Sequence, residues 1–449
     1  MEQPRRDFLK TLTCSTAASA LAGCQTANPP RASGAGSVFG LKAPALDEVH
    51  VGFIGVGHRG PAAVRRLSRI PKTKVVAICD VFEARVAKSA QDVMAAGHPQ
   101  PAGYFGSEHI FKKLCERPDV NLVYVCTPWE WHVPMALYAM QCGKHVVVEV
   151  PIAMTVADCW KLVDMAEKTR LHCMMLENCC YGEDELFALT LARNGVLGEL
   201  VHGDCGYIHE LRAGLLDNTY YKNYPLEYFR RHAGNSYPTH GLGPICQYMG
   251  INRGDRFERL VSMESAEFGL TSYIKERFGP NDPRGQVRYA SGDMNTTIVR
   301  TERGRTIMVQ YGRYSPRPYS RINLISGTKG TLCSYPLRVA LSPRWHDWVD
   351  EKTLADLKAK FTHPLWRKVG ELAKKAGGHG GMDFLMEYRL CHCLLNGLPL
   401  DHSVYDGVTW SALVELTEQS VKQDGSSVAI PDFTRDGWKT AEPLGLVEV

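Results

Sequence analysis

Three kinds of feature are scarce or missing in this 449-residue chain, and each absence excludes a class of protein. The formal net charge is only +4 and no basic run with interleaved aromatic residues occurs, so we expect no nucleic-acid partner. No stretch reaches the roughly 18 consecutive apolar residues of a membrane-spanning helix. The 15 cysteines include no paired spacing typical of zinc sites, since Cys179-Cys180 and Cys391-His392-Cys393 stand alone, and we expect no metal.

The composition that remains is that of a soluble globular protein, with 44% hydrophobic and 22% charged residues. From residue 48, apolar runs alternate with helical periodicity, which predicts a parallel α/β domain over residues 48–178. Alternating residues then predict strands at 199–209, 257–268, 295–300, 306–311 and 321–325, and helices follow over 382–395 and 404–422. We therefore predict an α/β protein with an N-terminal Rossmann dinucleotide-binding domain. A C-terminal α/β domain (179–425) with an open, mainly antiparallel sheet and a tail (426–449) complete the prediction.

The first 24 residues have the pattern of an export signal and not of a folded segment. Arg5-Arg6-Asp7-Phe8-Leu9-Lys10 resembles the twin-arginine motif, and Leu21-Ala22-Gly23-Cys24 resembles a bacterial lipobox. The two motifs imply export by the twin-arginine route and a lipid anchor on Cys24, in the periplasm or on the outer surface of the cell envelope. Residues 25–47 are rich in Pro, Ala, Gly and Ser, which predicts a flexible tether.

A glycine turn organises the first domain. The apolar run Val51-Gly52-Phe53-Ile54 leads into Gly55-Val56-Gly57-His58-Arg59-Gly60, the pattern that binds dinucleotides between a strand and a helix. Gly55 permits the tight turn, Gly57 lets the backbone approach a pyrophosphate, and Gly60 lets the helix lie close to the strand. Asp80 ends the next apolar run, where a carboxylate accepts hydrogen bonds from an adenosine ribose and repels a 2′-phosphate. The pattern therefore favours NAD over NADP as cofactor.

Further motifs resemble a known superfamily. Cys126-Thr127-Pro128, with His132 four residues on, and the run from Gly143 to Glu149 resemble the glucose–fructose oxidoreductase/inositol dehydrogenase (Gfo/Idh/MocA) superfamily. That resemblance implies a Rossmann domain followed by an α/β domain with an open antiparallel sheet. The chain departs from the superfamily's Glu-Lys-Pro motif, because Val150 replaces the lysine and can neither donate a proton nor polarise a carbonyl.

Four more motifs narrow the resemblance to glycoside hydrolase family 109, the NAD-dependent α-N-acetylgalactosaminidases. They begin at Glu177 (Glu-Asn-Cys-Cys-Tyr-Gly), Tyr237 (Tyr-Pro-Thr-His-Gly-Leu-Gly-Pro), Pro316 (Pro-Arg-Pro-Tyr-Ser-Arg) and Gly378 (Gly-His-Gly-Gly-Met-Asp-Phe). To the glycines and Asp80, the resemblance adds NAD contacts from His58, Arg59, Trp129, Glu130, Trp131, His132, Glu149, Val150 and Asn178. It implies sugar contacts from Tyr207, Arg231, Tyr237, Pro238, Thr239, His240 and Tyr319. Arg230 is an alternative to Arg231, because the loop before Tyr237 differs in length from the family's.

The resemblance also implies a chemistry. The sugar is oxidised at C3, loses its C2 proton, expels the C1 substituent, adds water and is reduced again, with the hydride held on NAD in between. Such a cycle needs a positioned base, and His240 and Tyr237 are the candidates, three residues apart and on one face if that segment is helical.

Three functions are compatible with these residues. The first is a glycosidase that removes terminal α-linked N-acetylgalactosamine from glycoconjugates. The others are a sugar oxidoreductase of the broader superfamily, which the missing lysine disfavours, and a non-catalytic sugar-binding lipoprotein that keeps NAD.

His379 lies in a glycine-rich loop that could approach the site. An open sheet face is often covered by another subunit, so a homo-oligomer is also open.

Overall fold

A computed structural model describes residues 28–217, 219–343 and 346–449. The predicted export signal, including Cys24, and residues 25–27 of the predicted tether lie outside these ranges. Within them, no helix combines the length and the apolar character that crossing a bilayer requires.

The first domain is a parallel sheet covered by helices. Its strands carry Val- and Ile-rich runs because both faces are covered, as β4 and β5 show by being buried at every position. The strands are β1 Val49–Ile54, β2 Thr73–Cys79, β3 Ala102–Tyr104, β4 Leu122–Val125, β5 His145–Val148 and β6 Cys173–Met175. Among the described residues they form a 6-stranded sheet in the order β3-β2-β1-β4-β5-β6. The intervening helices are α1 Gly60–Leu67, α2 Glu83–Ala95, α3 Phe111–Cys115, α4 Trp129–Gln141 and α5 Val156–Thr169.

The second domain is built on a mixed sheet. Its strands are β7 Leu200–Ile208, β8 Phe257–Glu264, β9 Met294–Thr301, β10 Thr306–Gly312, β11 Leu324–Gly327, β12 Gly330–Cys333, β13 Arg338–Leu341 and β14 Val428–Ala429. In the described ranges they form an 8-stranded sheet in the order β13-β12-β11-β7-β10-β9-β8-β14, in which β7 and β10 run parallel and the other pairs antiparallel. The predicted fold class is confirmed.

The helices of the second domain pack on this sheet and on elements of the first domain. They are α6 Glu183–Arg193, α7 Arg212–Leu216, α8 Tyr224–Arg231, α9 Thr239–Met249, α10 Gly269–Phe278, α11 Glu351–Phe361, α12 Pro364–Ala376, α13 Met382–Asn396, α14 Val404–Ser411 and α15 Leu413–Lys422. The exposed face of the sheet carries Val201, Val261, Met263 and Ile298.

Helix α9 lies directly on β7, and this contact positions the site. A Cβ atom on Gly241 would lie 2.4 Å from the backbone nitrogen of Gly206, so only glycine permits the approach. The close packing holds His240, at the start of α9, beside Tyr207 on β7, with ring centroids 5.3 Å apart.

Two predicted elements differ from the structure. The strand predicted from residue 321 begins only at Leu324, because Ile322 and Asn323 adopt φ values of 66° and 48°, outside the strand region. The single helix predicted over 404–422 is two helices, α14 and α15, which meet at Ala412.

The predicted flexible tether is packed in its described part, residues 28–47. Val38 and Leu41 are buried, and the backbone N–H of Val38 donates to the hydroxyl of Tyr405 at 3.2 Å. The Arg31 guanidinium pairs with the buried Glu167 at 3.0 Å. The abundance of Pro, Gly and Ser concealed the few apolar side chains that find buried positions here.

The predicted tail, residues 426–449, is also packed. Val428 pairs with Leu260 of β8, and Phe433 is buried. Arg435 binds Glu167 at 2.7 Å, so both ends of the described chain converge on one buried carboxylate.

Candidate active site

One cavity of about 570 Å³ lies between the carboxyl ends of the first sheet and the β7–α9 unit. From the first domain it is lined by the glycine turn, Asp80, residues 126–129 and Glu149. From the second domain it is lined by Tyr207, Tyr237, His240 and Tyr319. Ligands of open α/β sheets bind at such a position, outside the carboxyl ends of the strands.

The glycine turn has the geometry of a dinucleotide cradle. Gly55 has φ of +91°, and a Cβ there would lie 2.5 Å from the carbonyl oxygen of Cys126. The Asp80 carboxylate accepts the backbone N–H groups of Val56 at 2.9 Å and Phe82 at 3.0 Å, which fixes it beside the turn. These residues fit NAD, because the backbone of the turn would face its diphosphate and the fixed carboxylate would accept hydrogen bonds from its ribose.

Arg59 joins the two domains at the start of α1. Its guanidinium lies 3.6 Å from Glu149 and 3.7 Å from Asp383, and 3.4 Å from Nδ1 of His379. The negative charge of Glu149 raises the pKa of Arg59 above its ordinary value. Asn178 donates to the other oxygen of Asp383. These contacts bring four of the predicted or considered residues, Arg59, Glu149, Asn178 and His379, to one edge of the cavity.

The segment from residue 129 to residue 132 divides between the cavity and the framework. The Trp129 ring lines the cavity and contacts Tyr224, at 5.2 Å, and Tyr237, at 6.2 Å. The His132 ring also reaches the cavity, but its nitrogens lie 2.8 Å and 2.9 Å from the carbonyl oxygens of Pro151 and Thr127, and burial lowers its pKa. His132 therefore holds the loops in place and is not available to transfer a proton.

Two predicted contact residues point away from the described cavity. Glu130 is exposed on the first turn of α4, and Arg231 is exposed on the last turn of α8. The Nε of Arg231 donates to the carbonyl oxygen of Glu227, and Arg230, the alternative, pairs with the Glu227 carboxylate at 3.0 Å. The inner face of α8 presents Phe229 to the cavity instead, so neither arginine is a wall residue here. The structure therefore does not place Arg231, the predicted sugar contact, at the cavity wall.

Of the predicted sugar residues, Tyr207, Tyr237 and Tyr319 come together around His240. Its ring lies 4.9 Å from Tyr237 and 5.3 Å from Tyr207, and Tyr319 lies 6.0 Å from Tyr207. Tyr237 precedes α9, so the two candidate groups are joined across a helix start and do not share a helix face as expected. Pro238 and Thr239 are buried at that start and set its direction.

A buried carboxylate behind His240 was not among the predicted site residues. Glu177 is 0% exposed and its Oε1 lies 2.6 Å from Nδ1 of His240. Burial raises the pKa of Glu177, but the charge of His240 and its hydrogen bond outweigh burial, so the pKa lies below the ordinary value. Because Nδ1 is occupied, Nε2 is the nitrogen of His240 left for a substrate. An acid directly after the apolar run 172–176 and before Asn178 was the signal in the sequence.

Cys179 adds a third donor atom at this point. The ligand atoms of Glu177, Cys179 and His240 lie within 4.8 Å of one another. However, burial raises the pKa of the Cys179 thiol well above its ordinary value. The carboxylate and imidazole are already bonded to each other at a hydrogen-bond distance. The arrangement is that of a hydrogen-bonded pair, and the absence of a metal stays a prediction.

A segment of the second domain, residues 219–224, crosses to the first domain over the cofactor side of the cavity; we call it the cover segment. The hydroxyl of Tyr221 donates to Glu108 at 2.9 Å, and Nζ of Lys222 lies 2.8 Å from the same carboxylate. The Tyr220 ring lies 5.2 Å from His58 of the glycine turn. Sequence reasoning missed this segment because residues 210–236 carry no periodic pattern.

Comparison with known proteins gives two family matches. The description "Glycosyl hydrolase 109, C-terminal domain" matches residues 181–440, and "Oxidoreductase family, NAD-binding Rossmann fold" matches residues 49–177. A glycosyl hydrolase family 109 protein of Shewanella pealeana is 46% identical, over 100% of both chains. One of Shewanella amazonensis is 47% identical, over 99% of both chains.

Solved structures share the fold. Levoglucosan dehydrogenase in complex with NADH and levoglucosan has a TM-score of 0.65 at 17% identity, over 86% of this chain and 100% of that one. Scyllo-inositol dehydrogenase from Lactobacillus casei, with bound NAD(H) and scyllo-inositol, has a TM-score of 0.60 at 14% identity, over 85% and 99%.

Proposed function

Because this chain belongs to glycosyl hydrolase family 109, we propose that it is an NAD-dependent glycosidase that releases terminal α-linked N-acetylgalactosamine from glycoconjugates. The family and the NAD-binding domain support a glycosidase or a sugar oxidoreductase. The observation that carries the choice between them is the bond between Glu177, which follows β6 of the first domain, and His240, which lines the cavity from the second domain.

The pair supplies a proton acceptor that position 150 lacks. Val150 lines the cavity where the superfamily has a lysine, so no amine is present there to move a proton. NAD, when bound, supplies a reversible acceptor for the hydride of a sugar C–H bond. Nε2 of His240 takes the C2 proton of the sugar. The ionised Glu177 then stabilises the imidazolium, as an orienting carboxylate does beside other catalytic histidines.

Tyr237 has a complementary part. Burial raises its pKa well above the ordinary value, so its hydroxyl stays protonated at working pH. A protonated phenol beside His240 donates a hydrogen bond to a sugar oxygen and polarises the adjacent carbon. A proton acceptor and a hydrogen-bond donor on one sugar ring suit removal of the C2 proton and loss of the C1 substituent. That route explains how a glycosidase works without the usual pair of flanking carboxylates.

The test uses the NAD-loaded protein, a p-nitrophenyl α-N-acetylgalactosaminide and deuterated water. We expect release of the phenol together with deuterium at C2 of the product sugar. Phenol release without deuterium at C2 would overturn the elimination route but leave a glycosidase. A stable keto sugar would indicate an oxidoreductase, and no turnover a binding protein.

We also propose that the protein is exported and lipid-anchored through Cys24. The support is the sequence of residues 1–24. Replacing Arg5 and Arg6 by lysine should keep the protein in the cytoplasm, and Cys24→Ser should move it from the membrane fraction to the soluble fraction.

A homo-oligomer is also open, and light scattering of the purified protein would measure its oligomeric state.

A further inference from the structure

A row of aromatic rings leads from His240 out of the cavity. Tyr207 lies next to His240, Tyr319 lies 6.0 Å from Tyr207, and Tyr335 lies 6.1 Å from Tyr319. The outer two rings are exposed, Tyr319 to 40% and Tyr335 to 39%, while Tyr207 is half-buried. The row thus begins at the reacting centre and ends in solvent.

The two outer rings are held by one buried guanidinium. Nη1 of Arg321 donates to the hydroxyl of Tyr319 at 3.0 Å, and the guanidinium lies 5.8 Å and 5.5 Å from the Tyr319 and Tyr335 rings. Arg321 is itself fixed by the buried Glu185, with Nε at 3.2 Å from the carboxylate. Because an ion pair beneath the surface supports them, these rings form a defined surface.

The backbone of Tyr335 is held in a strained conformation. Its φ is +66°, which is uncommon for a residue with a bulky side chain. The neighbouring Ser334 maintains it, since its N–H donates to the carbonyl of Asn323 at 3.2 Å and its Oγ accepts from Nδ2 of Asn323 at 3.0 Å. Strain of this kind persists where surrounding contacts impose it, and it is concentrated at ligand-binding sites.

We propose that Tyr319 and Tyr335 bind the sugar ring to which the cleaved N-acetylhexosamine is attached. This inference rests on the proposed glycosidase function. The glycine turn, Asp80 and Glu149 line the opposite part of the cavity, and a glycoconjugate is far larger than its volume. The group on C1 therefore extends to solvent along the row of rings.

A neutral pyranose matches this surface chemically. One face of a hexopyranose presents C–H groups, which pack on aromatic rings, and its rim presents hydroxyl groups. The phenolic hydroxyls at the edges of Tyr319 and Tyr335 can exchange hydrogen bonds with that rim. The ligand is thus a hexose on the leaving side of the cleaved bond. Tyr335 lies one ring further out than the predicted sugar contacts, and it determines the preference for this hexose.

The test compares two substrates with the NAD-loaded full chain: methyl α-N-acetylgalactosaminide and a disaccharide in which the same sugar is α-linked to galactose. Tyr335→Ala should lower kcat/KM for the disaccharide about tenfold, the scale of one lost aromatic contact, and leave kcat/KM for the methyl glycoside unchanged. Tyr335→Phe, which keeps the ring, should retain most of the disaccharide preference. Phe268→Ala is the matched control, because Phe268 is an exposed aromatic residue that is not part of the row of rings.

The outcomes separate the two proposals. Wild-type protein that hydrolyses neither substrate overturns the glycosidase and with it the binding site at Tyr335. Wild-type activity on both, with an unchanged ratio in Tyr335→Ala, overturns the binding site alone. Equal losses on both substrates in Tyr335→Ala would also overturn it, since they would show a structural effect on the centre itself.

Discussion

The two walls of the cavity are built in different ways. The cofactor wall is formed by short runs of consecutive residues, the glycine turn and residues 126–129, with Asp80 beside them, and the backbone at Gly55 lies against that of Cys126. The sugar wall, from Tyr207, Tyr237, His240 and Tyr319, consists of single side chains from separate elements, with Glu177 behind them. A wall made of backbone depends on steric room, whereas a wall made of side chains depends on each group. Substitutions should therefore disable one wall while the other keeps working.

The largest difference between the effects on turnover and on NAD binding is expected for His240→Ala. Loss of a general base should lower kcat by at least about 100-fold, and the NAD content of the purified protein should not change, because the cofactor wall does not include His240. Turnover and bound NAD, measured by chromatography of the denatured protein, give both values. His232→Ala is the control, since His232 pairs with Glu418 and is not a cavity residue. Joint loss of NAD and turnover would show that the walls are not independent.

Glu177→Gln should act through His240. The neutral amide removes the charge from the hydrogen bond to Nδ1, which corresponds to a decrease of about tenfold to 100-fold in kcat. The pKa of Glu177 is low, so the wild-type carboxylate is charged over the working range and favours the imidazolium. Without that charge, uptake of a proton beside position 177 is less favourable, and the acidic limb of the pH–rate profile should move to lower pH. Glu177→Asp, which keeps the charge, should leave the limb in place; a shift there would exclude the charge as the cause.

On the cofactor wall, Asp80→Asn should have the opposite effect, with weaker NAD binding and an unchanged kcat. The carboxylate accepts the N–H groups of Val56 and Phe82, and its loss should weaken NAD binding about tenfold while kcat at saturating NAD is retained. Titration of the NAD-free protein, followed by NADH fluorescence, measures the affinity. Asp92→Asn provides a surface control, because Asp92 pairs only with the exposed side chain of Arg65 among the described contacts. A fall in kcat without a change in affinity would contradict the assignment.

The smallest effect is expected for Arg231→Ala. Since Arg231 is exposed and bonded to its own helix, kcat/KM should stay within about twofold of wild type. A decrease of tenfold or more would mean that the arginine reaches the sugar after all, through a movement of α8.

The same contrast decided what could be predicted from the sequence. The glycine turn and Asp80 were predictable because their spacing along the chain reflects a local turn and the next strand. That the sugar residues lie close together in space was predicted only from the family resemblance. The Glu177–His240 bond joins residues 63 positions apart, and nothing in a single sequence reports such a pairing.

Errors at the chain ends had a related cause. Residues 28–47 and 426–449 were judged by composition, whereas their packing depends on a few side chains such as Val38, Phe433 and Arg435 that find buried partners far along the chain. Composition describes the average of a segment, and a packed arm needs only a few fitting residues.

The cover segment has a kinetic consequence. Tyr221 and Lys222 tie the second domain to Glu108 over the side of the cavity where Asp80 stands. If the segment must detach before a molecule beneath it leaves, the escape rate equals the intrinsic rate multiplied by the fraction of time that the segment is open. Local openings of this kind are promoted by denaturant well below the concentration that melts a sheet. The protein should therefore lose its nucleotide in mild urea while both sheets remain folded, and regain it when the urea is removed.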